Sequence, residues 1–191
     1  MKNSKAQAFN RKASSQKSRP DEVIVALGLK QGQSVADIGA GGGYFSLRFA
    51  ETVGAKGKIY AIDINQDFLE FIKNSTAEKG LGNLEAIFAE DGKVALPERS
   101  IDRMFFRNVT HHIKNRVEYF RQLMRFMAPG GRIAIIEYKK KNSFTFHGIF
   151  RHYIAKETLM QKMENAGYAP EKELISCLNS TLLFTGVGPL L

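Results

Sequence analysis

Asp37, Asp63 and the glycines between them are the residues of this chain whose types and spacing first suggest chemistry. In "SVADIGAGGGYFS", residues 34–46, Gly39, Gly41, Gly42 and Gly43 take four of five positions directly behind an apolar run. Glycine loses more backbone freedom on folding than any other residue, so collecting four of them inside a regular element costs stability. The arrangement makes sense where a ligand must lie against the backbone. Asp63 comes 24 residues after Gly39, where an acid closing a second strand accepts hydrogen bonds from both hydroxyls of a ribose.

Two ligand classes answer to this pattern: a dinucleotide, or the adenosyl group of S-adenosyl-L-methionine. The dinucleotide signature G-x-G-x-x-G needs glycine at position 44, where this chain has Tyr44. A carboxylate at Asp37 would repel a pyrophosphate and attract an ammonium or sulfonium. Asp63 suits either ligand and does not choose between them.

A second set of polar residues stands downstream. "FFRNVTHHI", residues 105–113, places Asn108, His111 and His112 between an apolar strand and a helix. His111 is the leading acceptor-side residue, with His112 behind it and Tyr44 beside the glycines as a third catalytic candidate; all three suit helix packing or capping equally well. Glu137 and Tyr138 close another apolar run, and residues 139–153, "KKKNSFTFHGIFRHY", form a connection long enough to cover a cleft.

These residues need elements to hold them. "SVADI" reads as a strand, "YFSLRFAETVG" as a helix stopped by Gly54, and "GKIYAIDI" as a second strand. "NQDFLEFIKNSTAEKG" is a helix with Asn65 as N-cap, followed by strands "NLEAIFA" and "IDRMFF". Ile113, Val117, Phe120, Met124 and Met127 mark one helical face, which "APGG" ends before the strand "GRIAIIEY". A helix "DEVIVALGL" precedes the first strand, and "AKETLMQKMENAG" precedes a closing hairpin of "KELISCL" and "STLLFTGVG". Strands alternating with helices imply an α/β fold, Rossmann-like and doubly wound, with a mostly parallel sheet of seven strands and an antiparallel C-terminal hairpin strand. In such sheets ligands bind beyond the carboxyl ends of the strands, where the glycines lie.

The composition bounds the rest. The 191 residues are 43% hydrophobic and 25% charged, as in a soluble globular protein. No apolar run approaches the length of a transmembrane segment, and the single cysteine, Cys177, leaves no disulfide framework and no multi-cysteine metal site. A reduced, cytoplasmic setting is expected. Of the net charge of +9, six cations fall in residues 1–19, which hold no acid. We expect residues 1–19 to be a basic flexible tail, available for weak contact with nucleic acid or an anionic surface, and residues 20–191 to form one domain.

"VADIGAGGGYFSLRFA", "IYAIDIN" and "LMRFMAPGGRIAIIEY" together resemble, in order, three motifs of class I S-adenosylmethionine-dependent methyltransferases. The resemblance covers residues 20 to 185 or so. It implies S-adenosyl-L-methionine as cofactor and methyl transfer by SN2 displacement to a small-molecule acceptor. It assigns Asp37, Gly39, Gly41 and Gly43 to the methionyl group, Asp63 to the ribose, Ile64 to the adenine face and Asp91 to the adenine amino group. Asn108 joins the cofactor-binding set. "RNVT" with the later "PGGR" resembles, more distantly, the quinone-biosynthesis C-methyltransferases. Two other readings stay open: an RNA or protein methyltransferase recruiting its substrate through the basic tail, and a non-catalytic binding subunit. No residue cluster has metal-ligand spacing.

Overall fold

The eleven residues of "SKAQAFNRKAS" decide how the described chain begins, and they do so through small side chains. The computed structural model of the protein describes residues 3–137, 154–175 and 181–186. Its first element is a helix, α1 (Ser4–Ser14), in which Ala6 and Ala13 are buried. The expectation of a flexible tail is corrected here. Ala6, Asn10 and Ala13 recur at helical spacing and form a face flat enough to dock, while Lys5, Arg11 and Lys12 stay exposed. A short helix α2 (Pro20–Leu27) follows, with proline in its first turn and Asp21 and Glu22 beside the positive end of its dipole.

The alternation predicted from sequence then unfolds as β1 (Ser34–Ile38), α3 (Tyr44–Val53), β2 (Lys58–Asp63), α4 (Gln66–Glu78), β3 (Leu84–Phe88), β4 (Ile101–Arg107), α5 (Arg116–Leu123), β5 (Met127–Ile136), α6 (Lys156–Asn165), β6 (Tyr168–Ile175) and β7 (Thr181–Gly186). The strand order is β3-β2-β1-β4-β5-β7-β6. β1 to β5 run parallel. β7 runs antiparallel to β5, and β6 antiparallel to β7. This is the Rossmann-like, mostly parallel α/β architecture. The order reverses at β1, which pairs with β2 on one side and β4 on the other.

Two cores flank the sheet because successive strand residues face opposite ways. Val35, Ile59, Phe105 and Ala134 pack with α2 and α3 on one face. Ala36, Ile62, Met104 and Ile133 pack with α5 and α6 on the other. Phe45, Phe49 and Phe105 stack with ring centroids 5.1–5.8 Å apart, which pins α3 to the sheet and so fixes where its N-terminus sits. Each such ring pair adds roughly 1 kcal/mol beyond burial.

Two details differ from the expected pattern. α5 is shorter than the apolar face suggested, since Ile113 lies before it in extended backbone and Met124–Phe126 form a single tight turn after it. "APGG" lies inside β5 rather than before it. Pairing shifts between Ile101↔Met127 and Arg103↔Arg132, so Pro129 and Gly130 form a solvent-facing bulge, the one place in a strand where both are tolerated. Residues 139–153, Tyr138 and Cys177 lie outside the described residues, as does the link between the last two strands. Among the described residues, no helix is long and apolar enough to cross a membrane.

Candidate active site

Strand register brings the candidate residues to one edge. Asp37 sits opposite Ala61 and Phe105, Asp63 opposite Phe88, and Arg107 opposite Ile136, so five parallel strands end together above a cleft of about 1240 Å³.

On the β1–β2 side the chain leaves β1 in a tight bend. The amides of Gly39 and Ala40 both donate to the carbonyl of Ile62, at 2.8 and 3.0 Å. Gly39 and Gly43 adopt φ of 75° and 78°. A Cβ on Gly39 would lie 2.7 Å from Val109, and one on Gly43 2.5 Å from Ile72; neither position admits a side chain. The Gly41 amide donates to Asp63 Oδ2 and the Asn65 amide to Oδ1, both at 2.9 Å. Asp63 thereby ties the glycine loop to the start of α4, whose first turn Asn65 caps by accepting from the Asp67 and Phe68 amides. Burial raises the Asp63 pKa in spite of these backbone bonds.

Asp37 is buried beneath the loop, and Ser46 Oγ donates to its Oδ2 at 2.5 Å. Burial pushes its pKa up to about 7, with the neighbouring charge of Asp63 acting in the same direction and Arg107 against it. Ile64, 70% exposed, and Phe88, 44% exposed, line the cleft beside Asp63 as an apolar ledge. Asp91 stands in the single turn Glu90–Gly92 after β3, and its side chain lies outside the described residues.

The β4–β5 side is built differently. Asn108 takes a left-handed backbone with φ of 53°, and its amide donates to Ile136 at 2.7 Å. Its side-chain Oδ1 is buried without a hydrogen-bond partner among the described residues. Glu137 then organises the loop. Thr110 donates through its amide and its hydroxyl to Glu137 Oε1, at 2.6 and 2.5 Å. His111 Nδ1 lies 2.8 Å from Oε2; a carboxylate only accepts, so Nδ1 is the protonated nitrogen. Arg116 closes the knot by donating to the carbonyls of Thr110 and His111, at 2.7 and 2.9 Å. Burial alone would raise the Glu137 pKa, but the bonds from His111 and Thr110 outweigh it and hold the carboxyl below its ordinary value.

The consequence separates the two histidines. His111 has a side chain only 5% exposed and is occupied by Glu137, whereas His112 lines the cleft, its ring centroid 4.1 Å from that of His111. Tyr44 lines the cleft as well, but its hydroxyl accepts from Arg48 at 3.1 Å, and Arg48 pairs with Asp21. Asp37, Gly39, Gly41, Asp63, Ile64, Asn108, Tyr44 and His112 therefore meet at one cleft, while His111 and Gly43 support it from behind. Sequence reasoning missed Glu137 as the organiser of this loop. It also missed Phe9 and Asn10 of α1, which line the cleft over the glycines. The signal for α1 was the helical spacing of Ala6, Asn10 and Ala13, faint because none is large.

Comparison with known proteins bears on the family and the fold. A family model described as a methyltransferase domain matches residues 29–167. The chain is 29% identical over 136 residues to a ubiquinone/menaquinone biosynthesis C-methyltransferase of Pseudomonas fluorescens, covering 69% of this chain and 52% of that protein. The chain thus spans about half the length of the curated relatives it matches. A SAM-dependent methyltransferase from Aquifex aeolicus superposes with a TM-score of 0.80 at 24% identity, covering 93% of this chain and 96% of that one. The [4+2]-cyclase SpnF shares the fold at a TM-score of 0.69 and 19% identity, covering 83% and 59% of the two chains.

Proposed function

The chain belongs to the methyltransferase domain family, and from that premise we propose that it transfers a methyl group from S-adenosyl-L-methionine to a small-molecule acceptor. The observation that carries the reading is the tie from Gly41 through Asp63 to Asn65. It holds a carboxylate at the rim of the cleft, beside an exposed apolar ledge, at the point where strand order reverses.

The residues present fit this cofactor. Asp63 would accept from the ribose hydroxyls, and Ile64 with Phe88 would face the adenine. The glycine loop would let the methionyl group lie against backbone, and Asp37 beneath it would balance its positive charge once ionised. Asn108 Oδ1, which has no hydrogen-bond partner among the described residues, is a ready acceptor at the same edge. When bound, the sulfonium supplies an already activated methyl group, so this chain's residues need mainly to align the reactants and exclude water.

His112 is the acceptor-side residue we assign, in place of His111. Glu137, Thr110 and Arg116 fix the turn that presents it. A general base is needed only where the acceptor carries a proton that must leave. The named relatives suggest phenolic and quinol rings as the first acceptors to screen. Recruitment of RNA or protein by a free basic tail loses its premise, because Ser4–Ser14 is a helix seated on the glycine loop.

Calorimetric titration with S-adenosylmethionine, S-adenosylhomocysteine and NADH tests the reading. We expect micromolar affinity for the first two and no heat with NADH. Binding of NADH, or of neither adenosyl compound, overturns it.

A further inference from the structure

The glycine loop is held from above by an element that lies outside the matched family region. α1 ends 15 residues before residue 29, where that region begins, yet its Asn10 bonds the loop on both sides. Asn10 Nδ2 donates to the Gly42 carbonyl at 2.8 Å, and its Oδ1 accepts from the Tyr44 amide at 3.2 Å. We propose that Asn10 is a positioning residue of the donor site, capping α3 across the fold and holding the glycine loop in its binding shape. The proposal rests on the reading of that loop as the S-adenosylmethionine site.

The sequence of α3 explains the need. Its N-cap is Gly43, which has no side chain and makes no capping bond. The first amides of a helix have no partner within it, and Tyr44 carries one of them. A cap normally comes from the residue just before the helix; here it comes from 34 residues away. A carboxamide carries a donor and an acceptor on two separate atoms of one carbon, so asparagine can serve the carbonyl and the amide together.

The fit is close. A Cβ on Gly42 would stand 2.2 Å from Asn10 Oδ1 and 2.3 Å from the Ala6 carbonyl. Gly42 is therefore glycine because α1 lies on it, which accounts for the one glycine of the run that does not have a left-handed backbone. Phe9 packs over Gly41 and meets Phe68 of α4 edge-on, with ring centroids 5.4 Å apart. Beyond α1, Arg107 donates to Ser18 at 2.9 Å and fastens the segment to the end of β4. Three consecutive glycines would otherwise sample many conformations. A ligand that selects one of them has its apparent affinity lowered by the fraction of time that shape is populated.

The test compares wild type with Asn10→Ala and Asn10→Asp, using homocysteine-form cofactor affinity by calorimetry and amide exchange of Tyr44 in the ligand-free protein. Asn10→Ala is expected to weaken S-adenosylhomocysteine about tenfold, in line with the loss of a helix cap, and to speed Tyr44 exchange. Asn10→Asp keeps the acceptor for Tyr44 but loses donation to Gly42, so exchange stays slow while affinity falls. A folded Asn10→Ala protein that binds within twofold of wild type overturns the proposal. If wild type binds no adenosyl compound, the functional reading fails on its own. Tyr44 exchange then still decides the contact: faster exchange in Asn10→Ala upholds the cap, and unchanged exchange overturns it.

Discussion

The two edges of the cleft reach the same end, a fixed set of polar groups, by opposite means. At the β1–β2 edge the carboxylate of Asp63 is held by backbone amides, those of Gly41 and Asn65. At the β4–β5 edge the carboxylate of Glu137 is held by side chains and one amide arriving from a different strand, with His111 and Thr110 lying 26 and 27 residues away in sequence. The first arrangement leaves a carboxylate that lines the cleft, although at 9% exposure it is nearly as buried as Glu137 at 6%. The second keeps its carboxylate behind the cleft lining and presents His112, whose ring lies against that of His111. One edge is built to bind, and the other to support.

That contrast predicts where damage falls. Glu137→Ala removes the acceptor of three donors at once, so the largest loss of stability is expected there, about 3–5 kcal/mol. Urea denaturation measures it. Glu137→Gln keeps one acceptor oxygen and the shape, and should recover a good part of the loss. If Glu137→Ala costs less than about 1 kcal/mol, the knot is ornamental and the contrast fails.

The buried acid of the other edge is expected to show itself through pH. The pKa of Asp37 is raised to about 7 from 3.8, so the folded state holds a proton that the unfolded chain has released over that interval. Its contribution to stability is therefore fully present below about pH 4 and is lost as pH rises through 7. Between pH 5 and 8 the loss amounts to about 3 kcal/mol. Asp37→Asn, which cannot ionise and still accepts from Ser46, should flatten this part of the profile. Equal slopes for the two proteins in parallel denaturation series would show that Asp37 stays charged, balanced by Arg107.

Asp63→Ala acts mainly on binding, because the two amide bonds it removes hold only the glycine loop and the start of α4. A hydrogen bond to a charged group contributes about 1.5–3 kcal/mol, so loss of one such bond should lower S-adenosylhomocysteine affinity about 10- to 150-fold. Circular dichroism should show the secondary structure retained. A matching loss of affinity in Glu137→Gln would mean that the two edges do not divide the work as described.

Legibility follows the same division. The β1–β2 edge was readable because its determinants are local: a strand, a run of glycines, a second strand and an acid at its end, all within 30 residues. The β4–β5 edge was half readable. His111 and Glu137 both stood out, but their pairing depends on register, with Arg107 opposite Ile136, and periodicity carries no register. α1 was barely legible as structure. Its composition is cationic and poor in large apolar residues, which reads as solvated chain; its docking relies on alanines and on glycines that lack a Cβ at the far side of the contact. Proline and glycine in "APGG" misled for a related reason, because a bulge uses the same residues as a turn.

Tyr44 marks the boundary between the two kinds of edge and gives the smallest effect. Its amide belongs to the glycine loop through Asn10, whereas its hydroxyl faces the surface pair of Arg48 and Asp21. If the loop binds through backbone, removing the hydroxyl should matter little. Tyr44→Phe is expected to change S-adenosylhomocysteine affinity by less than about twofold, because the lost bond joins the hydroxyl to Arg48 and not to the ligand. Turnover with any acceptor found should likewise stay within that range. A fall of tenfold or more in turnover, with affinity unchanged, would place the phenol among the reacting groups and make the glycine edge catalytic as well as binding.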